Sequence, residues 1–400
     1  MGIWEINLKS SKDNTFCVFP FNQVCVKHPE VFSPCCNSEL PENNFNPFNI
    51  NKDEMNGMTP IDMFKHDSMK ELREYGLNNK RHPACNACWK LEDRGQLSPR
   101  LFENIELDTN DFKLTCIDTS SGNKCNLRCM MCYPGCSTGL QKDVKYFKEH
   151  GITLPISWGN IDEAEKPVIG PLDVWEWLSK NNYLLEELKV AGGEPFYDKD
   201  FQKFLDKAHP DLLLTIHTNA TKIKLDKIKK FKKMKLIFSI DGTGKTYEYI
   251  RYPMTWKVIS RKIKEFKIER PQDKLQTNFV LSSLNALNLA NYMIWCDDME
   301  LIPSITNMHP DYSDISIFNL SREILKECLN RYDKKIMRPS QDGHDENYQD
   351  DAYNKLKYAY DICKDNPKAI LNYIEKFDKS RNRSYKDFLD PMMVEWLNEK

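Results

Sequence analysis

Between residues 112 and 320 the chain alternates six short apolar runs with amphipathic segments, and this alternation restricts its fold more than any other feature. The runs are Lys113–Thr119, Leu185–Val190, Leu212–His217, Lys235–Ile240, Leu275–Leu281 and Leu301–Asn307. They are short and often β-branched, as strands buried on both faces are. The segments between them carry the helical period. Phe201, Phe204, Leu205 and Ala208 fall at i, i+3, i+4 and i+7, and Trp256, Ile259, Ile263 and Phe266 share one face. Such alternation predicts a parallel sheet of right-handed βαβ units. Six units are visible, where a complete TIM barrel has eight.

After Ser321 the pattern turns helical. Tyr353, Leu356, Tyr360 and Cys363 mark one apolar face, and Met393, Trp396 and Leu397 mark another near the end. Pro339–Asp350 is polar and reads as a loop. Ahead of the alternating region lies a cysteine-rich stretch from Cys17 to Cys88, with Trp89–Asp111 as its boundary. The expected organisation is 1–111 as a cysteine-rich module, 112–320 as the α/β region and 321–400 as a helical extension.

The 400 residues suffice for a large domain and a smaller one, each with its own core. A net charge of -2 gives no broad basic surface, so nucleic acid is not an expected partner. The run Lys229-Lys230-Phe231-Lys232-Lys233 reads as a solvated helix face. No segment is apolar for long enough to span a bilayer. Met1–Asn14 lacks the basic start and apolar core of a signal peptide, so a cytoplasmic location is expected. In a reducing compartment the 14 cysteines are not expected to form a disulfide framework, and clustered thiols there more often bind metal.

Cys125, Cys129 and Cys132 form a CxxxCxxC run directly after the first predicted strand. Thiolates are soft ligands suited to iron–sulfur clusters. Three cysteines can hold three irons of a [4Fe–4S] cube and leave the fourth open. The other reading is a structural zinc loop with Cys136 as fourth ligand, although zinc sites normally pair cysteines at CxxC spacing. The second apolar run ends in Ala191-Gly192-Gly193-Glu194-Pro195, the third in Thr218-Asn219-Ala220, and the fourth in Ser239-Ile240-Asp241-Gly242, followed by Tyr249-Ile250-Arg251. Paired glycines allow close backbone approach to a ligand, and a carboxylate balances positive charge. Ligand sites of such folds gather at strand C-termini.

On these motifs the chain resembles the radical S-adenosylmethionine (SAM) superfamily, whose triad lies after strand one of a partial (β/α)6 TIM-type barrel. The resemblance implies that the open iron binds the amino and carboxylate groups of SAM. One electron then cleaves the sulfonium, and the 5′-deoxyadenosyl radical abstracts a substrate hydrogen. It further implies that Gly192, Gly193 and Glu194 meet the SAM ammonium, that Asn219 is similar to the family's strand-three residue, and that Ser239, Asp241 and Arg251 serve ribose and carboxylate contacts. Met131 stands where the family usually has an aromatic residue on adenine, and Met can also pack against a π face.

The N-terminal cysteines Cys17, Cys35, Cys36, Cys85 and Cys88 fit either a zinc knuckle or an iron–sulfur site on spacing alone. Phe16-Cys17-Val18-Phe19-Pro20-Phe21, Pro34-Cys35-Cys36 and the stretch from His82 to Arg100 resemble a SPASM or twitch auxiliary-cluster module placed before the barrel, and Phe377–Arg381 resembles its closing segment. That resemblance implies an auxiliary [4Fe–4S] cluster on Cys17, Cys35, Cys85 and Cys88. Cys35 is preferred to Cys36 because adjacent residues of an extended segment point in different directions. Cys25, Cys116, Cys296, Cys328 and Cys363 read as structural. His217 and His309 lie near strand ends and are candidates to reach a substrate. Asp241–Thr246 ends like a phosphate loop but has Ser239 where the motif needs glycine.

The expected activity is hydrogen abstraction from a peptide or protein by a SAM-derived radical. The auxiliary cluster would relay electrons, and a flavodoxin- or ferredoxin-like protein would serve as reductant. The alternatives are a dehydrogenase or epimerase of a small molecule such as a cyclitol, sugar or nucleotide, a non-catalytic zinc-binding protein, and a plain iron–sulfur electron carrier.

Overall fold

The computed structural model describes residues 7–8, 14–28, 31–38, 57–102, 107–108, 112–155, 158, 172–307, 313–336 and 346–399. His309, His344 and residues 339–345 of the expected polar loop lie outside them. In chain order the elements used below are β1 (Gln23–His28), β2 (Val31–Ser33), α1 (Asp67–Leu77), α2 (Asn86–Glu92), β3 (Cys116–Ser120), α3 (Gln141–Glu149), α4 (Leu172–Asn181), β4 (Glu187–Ala191), α5 (Lys199–Lys207) and β5 (Leu213–Thr218). They continue with β6 (Met234–Ser239), α6 (Gly244–Ile250), α7 (Trp256–Glu269), β7 (Lys274–Leu281), α8 (Leu289–Asp298), β8 (Ile302–Asn307), α9 (Arg322–Ile336), α10 (Glu346–Ile362), α11 (Pro367–Arg381) and α12 (Pro391–Asn398).

The six strands expected from the sequence are β3 to β8, and no end moves by more than three residues. The fold is α/β with predominantly parallel strands, in agreement with a partial TIM-type barrel. By contact density the chain divides into two compact units. One comprises residues 1–122, 169–216 and 224–234, and the other 123–168, 217–223 and 235–400.

In the first unit β1 runs parallel to β3, pairing Gln23 with Cys116 through Val26 with Thr119. Parallel pairs β3–β4 and β4–β5 follow, and β2 closes the edge antiparallel to β1. The cysteine-rich N-terminal segment therefore adds strands beside the first strand of the α/β region. Val24, Cys25 and Val26 are buried there. Thr119 Oγ1 donates to Val26 O at 2.9 Å, joining the two strands through a side chain. Helices α4 and α5 pack Trp175 against Phe201 and Phe204 at ring separations of 5.5 and 5.6 Å.

In the second unit β6, β7 and β8 are parallel neighbours. The stripe read on α7 is buried at Ile259, Ile263 and Phe266, and Phe266 meets Phe238 of β6 edge-on. The stripe on α10 is rotated from the expected one. Ala352, Leu356 and Ala359 are buried, while Tyr353, Tyr360 and Cys363 stand half-exposed. Alanines are weak apolar markers in a sequence, so the tyrosines drew the face towards themselves. Glu346–Asp350, read as part of a loop, opens α10. Among the described residues no helix is long and apolar enough to cross a membrane.

Candidate functional site

Cys125, Cys129 and Cys132 sit on a loop of the second unit that is clamped at several backbone points. Arg128 N–H donates to Tyr252 O at 2.8 Å and Met130 N–H to Ile250 O at 2.9 Å. Thr138 Oγ1 accepts from Cys125 N–H and donates to Cys125 O, both at 3.2 Å. The Trp158 indole donates to Cys132 O at 3.0 Å, and the Tyr373 hydroxyl donates to Met130 O. Behind the loop, fully buried Asp143 of α3 gathers Arg128, Arg381 and the Ser380 hydroxyl. Burial works against the Asp143 charge. The Arg128 hydrogen bond, Arg381 and Ser380 outweigh it and hold the carboxyl below its ordinary range.

Among the described residues, donors reach the sulfurs of Cys125 and Cys129. Asn219 Nδ2, just beyond β5, lies 3.6 Å from Cys125 Sγ and 3.0 Å from Asn126 Oδ1. Arg251 Nη1 lies 3.5 Å from Cys129 Sγ. Burial, opposed by Arg251 and reinforced by Cys125 and Asp241, pushes the Cys129 thiol up to about 11. Burial also raises Cys132, with Cys136, Cys129 and Cys125 each adding to the rise. Thiols grouped in this way resist ionising as bare anions. A multi-iron centre supplies the positive charge that deprotonates coordinating thiols. Three thiols on one loop are soft donors of the kind that hold iron–sulfur clusters, so the chemistry of the donor set fits a cluster.

The remaining sequence candidates fall out as follows. Ser239 ends β6 and is half-buried, as is Met131. Asp241 is fully buried: Oδ1 accepts from Val280 N–H at 2.7 Å, and Oδ2 meets the Arg251 guanidinium as an ion pair. In the first unit Gly192 has φ +116°, and a Cβ there would come within 2.7 Å of both Gly122 O and Ser120 Oγ. Gly193 N–H donates to Gly122 O at 2.6 Å. Glu194 is fully buried, and its Oε1 accepts from Phe196 N–H at 3.3 Å. The turn after β4 thus requires glycine and holds its carboxylate in place. His217 lies half-buried in β5. His66 and His82 are occupied as caps, accepting from Ser68 N–H and Ala84 N–H.

The family model described as "Radical SAM superfamily" matches residues 119–274, a span that holds the triad and every candidate contact after it. Over that span the chain is similar to the radical SAM superfamily. Among solved structures, Streptococcus suis SuiB bound to the precursor peptide SuiA is 17% identical with a TM-score of 0.38, and the match covers 67% of this chain and 51% of that one. Native anSMEcpe with bound AdoMet is 15% identical with a TM-score of 0.37, covering 56% of this chain and 60% of that one. A structure of TYW1 with a lysine-pyruvate adduct is 13% identical with a TM-score of 0.29, covering 57% and 75%. This chain thus spans between half and three-fifths of the SuiB and anSMEcpe chains. No curated protein matches it.

Outside residues 119–274, the first unit groups the N-terminal cysteines. Burial raises the Cys17 thiol, and Cys35, Cys85 and Cys88 each add to the rise, so the four thiols are neighbours. Cys88 is pushed up to about 12, by burial first and then by Cys35. Cys36 is exposed, and its sulfur faces Asn37 Oδ1 at 3.7 Å. Cys17 and Cys35 pack against an apolar cluster of Phe16, Val18, Phe19 and Phe21. Cys85 caps α2 and Cys88 lies in its first turn.

A buried ion pair ties these segments together. The Arg100 side chain is 2% exposed and donates to Glu92 Oε1 at 3.1 Å and Oε2 at 2.6 Å, and to Phe16 O at 2.7 Å. The Ser98 hydroxyl donates to the same Glu92 at 2.5 Å. Arg100 therefore couples α2, which bears Cys88, to the residue preceding Cys17.

Glu92, Ser98 and Arg100 lie in the His82–Arg100 stretch singled out from the sequence, where this role was not visible. The roles of Asp143, Tyr247, Tyr373 and Arg381 were not visible either. Arg381 lay within a quoted motif, but its target, Met130 Sδ at 3.0 Å, is 251 residues away.

Proposed function

We propose that this protein is a radical SAM enzyme that abstracts hydrogen from a peptide or protein substrate. In this reading Cys125, Cys129 and Cys132 hold a [4Fe–4S] cluster. SAM is met by Gly192, Gly193, Glu194, Asn219, Ser239 and Met131, with Asp241 and Arg251 beneath the cluster loop. Cys17, Cys35, Cys85 and Cys88 hold an auxiliary [4Fe–4S] cluster that relays electrons, and a flavodoxin- or ferredoxin-like protein is the reductant. The observation that carries the reading is the clamped cysteine triad inside the span similar to the radical SAM superfamily, with Asn219 and Arg251 donating to two of its sulfurs.

When bound, the cluster and SAM together supply a one-electron cleavage that yields a 5′-deoxyadenosyl radical. The protein's own residues position and protect. Asn219 and Arg251 direct N–H groups at sulfur, which tunes a cluster and stabilises its thiolates. The Gly192–Gly193 turn leaves a backbone surface without side chains, suited to a small polar ligand, and Glu194 offers a carboxylate to a cation. A peptide or protein substrate is the reading supported by the likeness of Ser239–Gly242 and Arg251 to peptide-modifying relatives.

The deciding experiment counts iron and sulfide in anaerobically purified protein and measures 5′-deoxyadenosine formed from SAM under reduction. Two clusters and SAM cleavage are expected. Changing Cys125, Cys129 and Cys132 together to Ala should remove one cluster and all cleavage. Zinc without iron, or iron-loaded protein that leaves SAM intact, would overturn the reading.

A further inference from the structure

A continuous polar chain runs up to Cys129 from below. Val280 N–H donates to Asp241 Oδ1 at 2.7 Å. Asp241 Oδ2 pairs with Arg251 Nε, and Arg251 Nη1 reaches Cys129 Sγ at 3.5 Å. Asn285 Nδ2 donates to the Asp241 carbonyl at 3.2 Å and fixes its backbone. Both charges are shielded from water, with side-chain exposures of 0% for Asp241 and 11% for Arg251. Asp241 therefore has one oxygen on a backbone amide and the other on a guanidinium.

One residue that the sequence did not single out belongs to the same group. Tyr247 lies one helical turn before Arg251 on α6, and Arg251 N–H donates to its carbonyl at 2.8 Å. Residues four apart share a helix face. The Tyr247 side chain is fully buried, and its hydroxyl has no hydrogen-bond partner among the described residues. Arg251, Cys129 and Asp241 all act on it electrostatically. A buried hydroxyl with no acceptor is costly, and a sulfur-rich core on Cys129 supplies acceptors.

We infer that Arg251 is a positioning residue that sets the reduction potential of the cluster held by Cys125, Cys129 and Cys132, with Asp241 as its counter-charge and Tyr247 as a second donor. The inference rests on the cluster reading of that loop. Its logic is electrostatic. A cluster that gains an electron becomes more negative, and a guanidinium or hydroxyl hydrogen near its thiolate stabilises that state. Asp241 moderates the effect while holding Arg251 in place. The two partners of one ion pair must then shift the potential in opposite directions. A purely structural pair has no reason to do so, since losing either partner would disorder the same loop.

The test is an anaerobic redox titration of the full-length, cluster-loaded protein. It is followed by electron paramagnetic resonance on the signal that changes when SAM is added, with iron counted in every sample. At a solution potential equal to the wild-type midpoint, Arg251→Gln should lower the reduced-to-oxidised ratio about tenfold, a fall of about 59 mV for a one-electron couple. Asp241→Asn should raise that ratio, and Tyr247→Phe should lower it by a smaller factor. Shifts of one sign in Arg251→Gln and Asp241→Asn, or unmoved midpoints in iron-loaded variants, would overturn the inference. If Arg251→Gln does not load iron, Asp241→Asn and Tyr247→Phe decide by the same signs. A wild type with no SAM-responsive signal would instead sink the cluster reading itself.

Discussion

Asp143→Asn tests the clamp behind the cysteine loop without altering its shape. The carboxylate is fully buried and faces two guanidinia, with Arg128 Nε at 2.9 Å and Arg381 Nη2 at 3.2 Å, besides the Ser380 hydroxyl. An asparagine oxygen can still accept one of these bonds. It removes the carboxylate charge that both guanidinia meet. Breaking a buried pair by removing one partner costs about 3–5 kcal/mol. For a compact unit of this size each kcal/mol lowers Tm by about 2–4 °C, so a fall of roughly 6–20 °C is expected at pH 7. The pH dependence gives an internal control. Burial raises the Asp143 pKa, but Arg128, Arg381 and Ser380 lower it further, so the folded value lies below the unfolded one. A depressed carboxyl contributes stability that is fully present above the unfolded value of about 3.9 and is lost as pH falls through the folded value. Wild type should therefore lose its advantage over Asp143→Asn below about pH 4. Thermal unfolding followed by circular dichroism at pH 7 and in steps below pH 5 measures both. A gap under about 2 °C at pH 7, against the roughly 6–20 °C expected, would refute the reasoning. So would a gap that widens on acidification.

Gly192→Ala places a methyl against Gly122 O and Ser120 Oγ at a φ of +116°, so it should cost about 1–3 kcal/mol and weaken SAM binding measured by calorimetry; unchanged affinity and Tm would count against the turn's role. Arg100→Ala strands the Glu92 carboxylate in the interior, and urea unfolding should show a loss of about 3–5 kcal/mol; a loss below about 1 kcal/mol would mean that water reaches Glu92. Cys35→Ser should remove about four irons per chain and Cys36→Ser none, if the N-terminal cysteines hold a cuboidal cluster; the reverse result would exchange their roles.

The strands β3 to β8 were legible because each is a short apolar run between polar helices, a signal contained within a few residues. The triad was legible for the same reason, since three ligands within eight residues need no tertiary information. What escaped was set at long range. Gln23-Val24-Cys25-Val26 pairs with a strand that begins at Cys116, and nothing local announces the pairing. Asp241 was picked out by type and position, yet its orientation is decided by Val280 N–H and Arg251, which turn the carboxylate inward. Cys35 acts electrostatically on Cys17 together with Cys85 and Cys88, while Cys36 is exposed; the two part at a bend and turn after β2 rather than along an extended segment. The α10 face was misread because two of its buried positions are alanines, which carry little apolar signal.

The clamp on the cysteine loop also orders events in time. Tyr373 and Arg381 reach Met130 across 243 and 251 residues of chain. At about 5–20 residues synthesised per second, roughly 12–50 s separate the emergence of the three cysteines from that of the helix that holds them. During that interval the loop exists without its buttress, as a set of exposed thiols. If the triad holds a cluster as proposed, iron delivered early would meet an unformed site, and insertion belongs after α11 has docked. A chain stopped before Pro367 should bind iron poorly even though it carries every cysteine of the triad, and iron loading equal to that of the full chain would show that the loop forms without its clamp.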